Sequence, residues 1–133
     1  MTFALQDAAK HDNVPGPGQG SVDIFDTSGN LITRFASRRQ LNSPWGVVRA
    51  PFNFGPVRNE VLIGDFGDGK INLFDTNGRS RGQLKDPSGK TITIDGLWSL
   101  VFGGAKISDP DILYFTAGPN HEQDGLLGSL APQ

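Results

Sequence analysis

The chain has 133 residues, 36% of them hydrophobic and 20% charged, enough apolar content for one modest domain and too much for a disordered chain. Its formal net charge of −2 leaves no electrostatic footprint for nucleic acid, the local basic cluster being Arg34, Arg38 and Arg39. Cysteine is absent, which excludes a disulfide framework, a thiolate metal site and a cysteine nucleophile.

The opening segment "MTFALQDAAKHD" has no basic n-region or long apolar run, and no stretch approaches the roughly 18 apolar residues of a spanning helix. The chain therefore reads as soluble and unexported, with no membrane partner. From there the apolar runs are short, rich in Val, Ile, Leu and Phe, and bounded by Gly, Pro, Asn and Asp. Such runs predict strands at 3–7, 21–26, 31–36, 45–50, 60–65, 70–75, 80–84, 97–102, 112–116 and 126–130, and no helix.

These strands recur. "FDTSGN" at Phe25 returns as "FDTNGR" at Phe74, about 49 residues on; Trp45 in "SPWGVV" and Trp98 in "GLWSLV" are about 53 apart; "VLIGDFG" and "ILYFTAG" are about 51 apart. A period of that size belongs to four-stranded β-propeller blades. With strands lettered a to d from the inside out, residues 1–36 supply b to d of a first blade, 44–84 a complete second, and 96–131 a to c of a third. The expected fold is all-β, a partial propeller arc of about two and a half to three blades over 1–133.

Within this frame the duplicated motif is turn chemistry rather than a ligand site. The Asp side chain can bond its own backbone, and Gly29 or Gly78 can take positive φ between strands c and d. Phe25 and Phe74 are expected between blades. Trp45 and Trp98, opening strand a, are expected in the core or lining a central channel.

Successive connections of an up-and-down sheet alternate between its two ends. The b–c and d–a loops thus share one face, and "PFNFGPVRN" and "GGAKISDPD" lie on the other. The shared face gathers His11, Asp12, Trp45, Asp65, Asp68, Trp98, His121, Glu122 and Asp124, the residues expected to bind any small-molecule or protein ligand. No catalytic residue or resident metal is assigned. "HEQD" at His121 lacks the second histidine of a zinc protease motif, and "DFG" at Asp65 lacks every companion of a kinase site. Asp7, Asp65 and Asp68 could offer oxygens to Ca2+, but calcium takes about six to eight, and no dense acidic loop supplies them.

The segment "LNSPWGVVRAPFNFGPVRNEVLIGDFGDGKINLFDTNGRSRGQL" resembles an NHL-type propeller repeat. With "QDAAKHDNVPGPGQGSVDIFDTSGNL", "IDGLWSLVFG" and "LYFTAGPNHEQDGLLGSL", the chain resembles the C-terminal part of a family of uncharacterised secreted bacterial NHL-like propellers, some with a PEP-CTERM sorting signal. The resemblance implies a six-bladed propeller, an extracellular setting and no established catalytic residue. The expected function is a non-enzymatic propeller module for binding or assembly, or a fragment of a larger one. A metal-assisted hydrolase, lactonase or lyase of the NHL-like type is the alternative. Open terminal faces carrying Phe3, Leu5, Ile112, Tyr114 and Leu127 imply self-association or docking onto remaining blades.

Overall fold

Runs of four to seven apolar residues punctuated by Gly and Asp are too short for stable helices and pair instead as consecutive antiparallel strands. The computed structural model describes residues 1–104 and 109–132. It contains β1 (Thr2–Ala4), β2 (Gly20–Phe25), β3 (Leu31–Ser37), β4 (Pro44–Arg49), β5 (Val61–Asp65), β6 (Ile71–Phe74), β7 (Ser80–Gln83), β8 (Leu97–Phe102), β9 (Leu113–Ala117) and β10 (Leu126–Leu130). These form three antiparallel sheets, β1-β2-β3, β4-β5-β6-β7 and β8-β9-β10. The fold is all-β and open; an arrangement of the sheets as propeller blades is not shown. No helix was expected, yet two single turns occur, a 3-10 turn at Gly55–Val57 and a turn at Pro119–Glu122 in which Asn120 and His121 are left-handed. Part of the "GGAKISDPD" loop, 105–108, lies outside the described residues.

The middle sheet is buried on both faces, so β5 and β6 are buried along nearly their whole length rather than at alternate positions. Alternation sends Leu62 and Leu73 to one face and Ile63 and Phe74 to the other. The first pair joins Leu97, Leu100, Leu113 and Phe115 of the third sheet in the larger core. Ile63 and Phe74 meet Val22, Ala36 and Leu41 in the smaller one, where the Phe35 and Phe74 ring centroids lie 6.0 Å apart. Phe74 thus packs between sheets as expected, whereas Phe25 turns to Phe3, 6.4 Å away. Leu62, Leu97 and Leu113 are fully buried, each contributing roughly 1.5–3 kcal/mol relative to exposure.

Trp45 corrects the expectation of a core ring: it is 60% exposed. The inward position of β4 falls on Gly46, whose backbone packs so closely that a Cβ there would lie 2.8 Å from the Leu100 nitrogen and 2.9 Å from the Trp98 oxygen. Its neighbours Trp45 and Val47 consequently point away.

The duplicated turns behave as the sequence requires. Asp26 accepts from the Ser28 and Asn30 amides, Asp75 from those of Asn77 and Arg79, and Gly29 and Gly78 take φ of 86° and 77°. A third copy, "DPSGK", repeats the pattern at Asp86, which accepts from the Ser88 and Lys90 amides. These bonds hold all three carboxyls below their usual range. The Asn30 side chain is the largest cause at Asp26, the Arg79 amide at Asp75 and the Ser88 hydroxyl at Asp86.

Candidate functional site

Apart from Trp45, the residues expected on one loop face fall in three places, linked by the Gly16 amide donating to Asn42 Oδ1 and the Ile94 amide donating to the Gly69 carbonyl. In the first sheet's long loop, His11 and Asp12 are exposed; the His11 amide donates to Asp7 Oδ1 at 2.9 Å, and Asp12 Oδ1 accepts from the Asn13 amide at 2.7 Å. This arrangement folds the loop locally and gathers no further acid.

The second place lies where the third sheet begins. Half-buried Trp98 rests on Gly118, whose missing side chain makes room for the indole, and its Nε1 donates to Glu122 Oε1 at 3.0 Å. Asn120 joins the turn together, its amide donating to Asp95 Oδ2 at 3.1 Å and its side chain to Asp124 Oδ2 at 2.6 Å. Asn120, His121 and Glu122 all have φ near +60°, a conformation costing non-glycine residues about 1–2 kcal/mol each. The structure therefore brings Trp98, Glu122 and Asp124 into one turn and leaves His121 exposed on it. Asn120 and Asp95 complete this cluster and are absent from the sequence reading; a left-handed Asn after a Gly-Pro pair is the signal that could have found Asn120.

The third place is the junction of the first and middle sheets, centred on Asp65. Strand β5 delivers this carboxylate to the end of the sheet, and the 38–43 loop crosses over it. Asp65 is fully buried. Its Oδ2 accepts from the Asn42 amide at 3.0 Å and from Asn72 Nδ2 at 2.7 Å. Asn42 extends the contact in both directions, its side chain accepting from the Gly16 amide at 2.6 Å and its carbonyl from the Gly67 amide at 3.0 Å. Burial pushes the Asp65 carboxyl up to about 8, aided by the negative charge of Asp68 and opposed by the Asn42 and Asn72 bonds and by Lys70. At neutral pH it is mainly protonated, an acid serving as a hydrogen-bonded latch. Asp65 Oδ1 and the Ser43 hydroxyl are buried beside this network without a partner among the described residues. Asp68 stands outside it, half-buried and ion-paired with Lys70 at 2.9 Å.

Asn42, Ser43 and Asn72 carry this junction and were not singled out from sequence. A polar residue inside the apolar run "INLF" is the one available signal for Asn72, since buried polar groups require partners. Among the described residues no three His, Asp or Glu side chains converge in a way that could hold a metal ion. Asp7, Asp65 and Asp68 are accordingly not assembled into a calcium cage.

Comparison with known proteins gives three similar sequences, all uncharacterised proteins of Acanthamoeba polyphaga mimivirus. One is 39% identical over 117 residues, covering 88% of this chain and 30% of that protein. A second is 39% identical over 128 residues, covering 92% and 31%, and a third 33% identical over 127, covering 95% and 23%. The chain thus spans less than a third of the length of the curated relatives it matches. No family model matches, and no solved structure matches. These findings correct the resemblance to secreted bacterial NHL-repeat proteins: the similarity found is to uncharacterised viral proteins, and no family model supports an NHL repeat.

Proposed function

We propose that the chain is a non-enzymatic binding and assembly module, a propeller-type arc of sheets that docks its outer faces onto further β-sheets of a second copy or of a longer polypeptide. The observation that carries this reading is the contrast between the doubly covered middle sheet and its neighbours, each covered on one face only. On the third sheet the register places Val101, Tyr114 and Ser129 in one outward row and Thr116 and Leu127 in the next. Val101 is 56% and Leu127 73% exposed, while Tyr114 is half-buried. On the first sheet Phe3 and Leu5 are exposed, Phe3 lying against Phe25. Soluble monomers rarely leave contiguous apolar area beyond a few hundred Å² uncovered.

Light scattering tests the reading. The chain is expected to sediment and scatter above its monomer mass of 14.3 kDa in a concentration-dependent way, and Phe3→Lys with Leu127→Lys to return it toward the monomer. A dispersed 14.3 kDa species that the lysines leave unchanged would remove the basis for docking.

A further inference from the structure

The basic pair of the 38–43 loop acquires a third arginine from a distant part of the chain. A cavity of about 400 Å³ between the first and middle sheets is lined by Ser37, Arg38, Arg39, Gln40, Phe74, Gly78, Arg79 and Ser80. Its polar lining residues are three arginines, two serines and one glutamine, with no acid among them. The ion pairs of the described residues engage Arg34, Lys70 and Arg81, and none engages Arg38, Arg39 or Arg79. Asp75, on the same turn as Arg79, interacts with it electrostatically while its Oδ1 accepts from the Asn77 and Arg79 amides, but no ion pair forms between the two side chains and Asp75 is not part of the cavity lining. The far wall is fixed to the near one by Gln40 Nε2, which donates to Ser80 Oγ at 2.6 Å.

The loop that presents two of these cations is held in an uncommon conformation. Arg38 and Arg39 have φ of 58° and 55°, where non-glycine residues are rare and cluster at ligand-binding positions. The Arg38 amide donates to the Gly20 carbonyl, and the Arg38 carbonyl accepts from the Leu41 amide, so the loop is tied at both ends. Three exposed arginines around one cavity whose lining holds no acid concentrate positive charge there, and planar guanidinium forks match the oxygens of phosphate.

We propose that this cavity is a binding site for a small phosphorylated molecule, its phosphate held by Arg38 and Arg39 from the first sheet's exit loop and by Arg79 from the β6–β7 turn. The volume suits a small-molecule site. Because the arginines come from two sheets, the phosphate would join them at the junction held elsewhere by Asp65. The inference does not depend on docking of the outer faces.

Calorimetric or NMR titration of the whole chain with inorganic phosphate tests it, with acetate as a monoanionic carboxylate control and thermal melts confirming that each variant is folded. Phosphate is expected to bind at least about tenfold more tightly than acetate, and Arg79→Gln or Arg38→Gln to weaken it by about tenfold or more, the usual consequence of losing a charge-assisted hydrogen bond. Arg58→Gln, a cation stacked on Phe52 and outside the cavity lining, is expected to bind phosphate like the native chain. Equal affinity for acetate, an unchanged affinity in folded Arg79→Gln, or an equal loss in Arg58→Gln would each overturn the site.

Discussion

Among the described residues, twelve buried apolar side chains join the middle sheet to the third, led by Leu62, Leu73, Leu97, Leu100, Leu113 and Phe115; five join it to the first, Val22, Ala36, Leu41, Ile63 and Phe74. The poorer apolar junction is the one reinforced by polar groups, with Asp65 bonded to Asn42 and Asn72, and Asn42 bonded to Gly16 and Gly67. Apolar contact is tolerant of direction and scales with area, whereas a buried carboxyl contributes only while every partner is in place. One side of the molecule is therefore held by area and the other by geometry.

The largest test of this contrast is truncation at the broader junction. Leu97→Ala is expected to cost about 2–5 kcal/mol, through lost burial and the cavity left behind, and Phe74→Ala about 3–5 kcal/mol at the narrower one. Urea melts measure both; a loss below about 1 kcal/mol at either would place that side chain outside the core. Next comes the latch. Asp65→Ala removes the acceptor of two buried donors and is expected to cost about 1–3 kcal/mol by the same measurement. Indifference to this substitution would mean that the junction is held by its five apolar residues alone.

Protonation sharpens the comparison further. The Asp65 carboxyl titrates at about 8 when folded and near 3.8 when unfolded, so the unfolded chain releases its proton first as pH rises. Stability from this group is complete below pH 4 and is lost progressively as pH rises through about 8. The turn carboxylates Asp26, Asp75 and Asp86 act in the opposite sense, their small contribution present above pH 4 and fading as pH falls below it. Melting temperature is thus expected to decline from mildly acidic to mildly alkaline pH, and Asp65→Asn to flatten that slope. An identical slope in the variant would assign the pH dependence to other groups. The smallest effects belong to the exposed rings and loops: Trp45→Ala and His121→Ala are expected to stay within about 0.5 kcal/mol of the native chain, and a larger loss would show a contact that exposure does not suggest.

Strand positions were legible because apolar runs and Gly/Asp punctuation are local signals, and the two "FDT" turns because Asp and Gly dictate their own backbone. The third turn, at Asp86, escaped since a proline replaces threonine and no phenylalanine precedes it. Trp45 was misread as a core ring because composition marks tryptophan as apolar, whereas its orientation depends on Gly46 taking the inward position. Asp65 was legible as a notable acid but not as a latch, since its burial depends on a loop about 23 residues away in sequence crossing above it. The approach of Arg79 to Arg38 and Arg39 is equally non-local: no sequence pattern links a turn of one sheet to the exit loop of another.

Hydrogen exchange read by mass spectrometry, comparing the native chain with Asp65→Ala, tests the unequal junctions most directly. Amides of β5, β6, β8 and β9 are expected to exchange last, those of β1, β2 and β3 earlier, and the substitution to accelerate the first sheet while sparing the third. Uniform protection across the three sheets, or equal acceleration of the first and third in Asp65→Ala, would contradict a molecule held by area on one side and by a buried acid on the other.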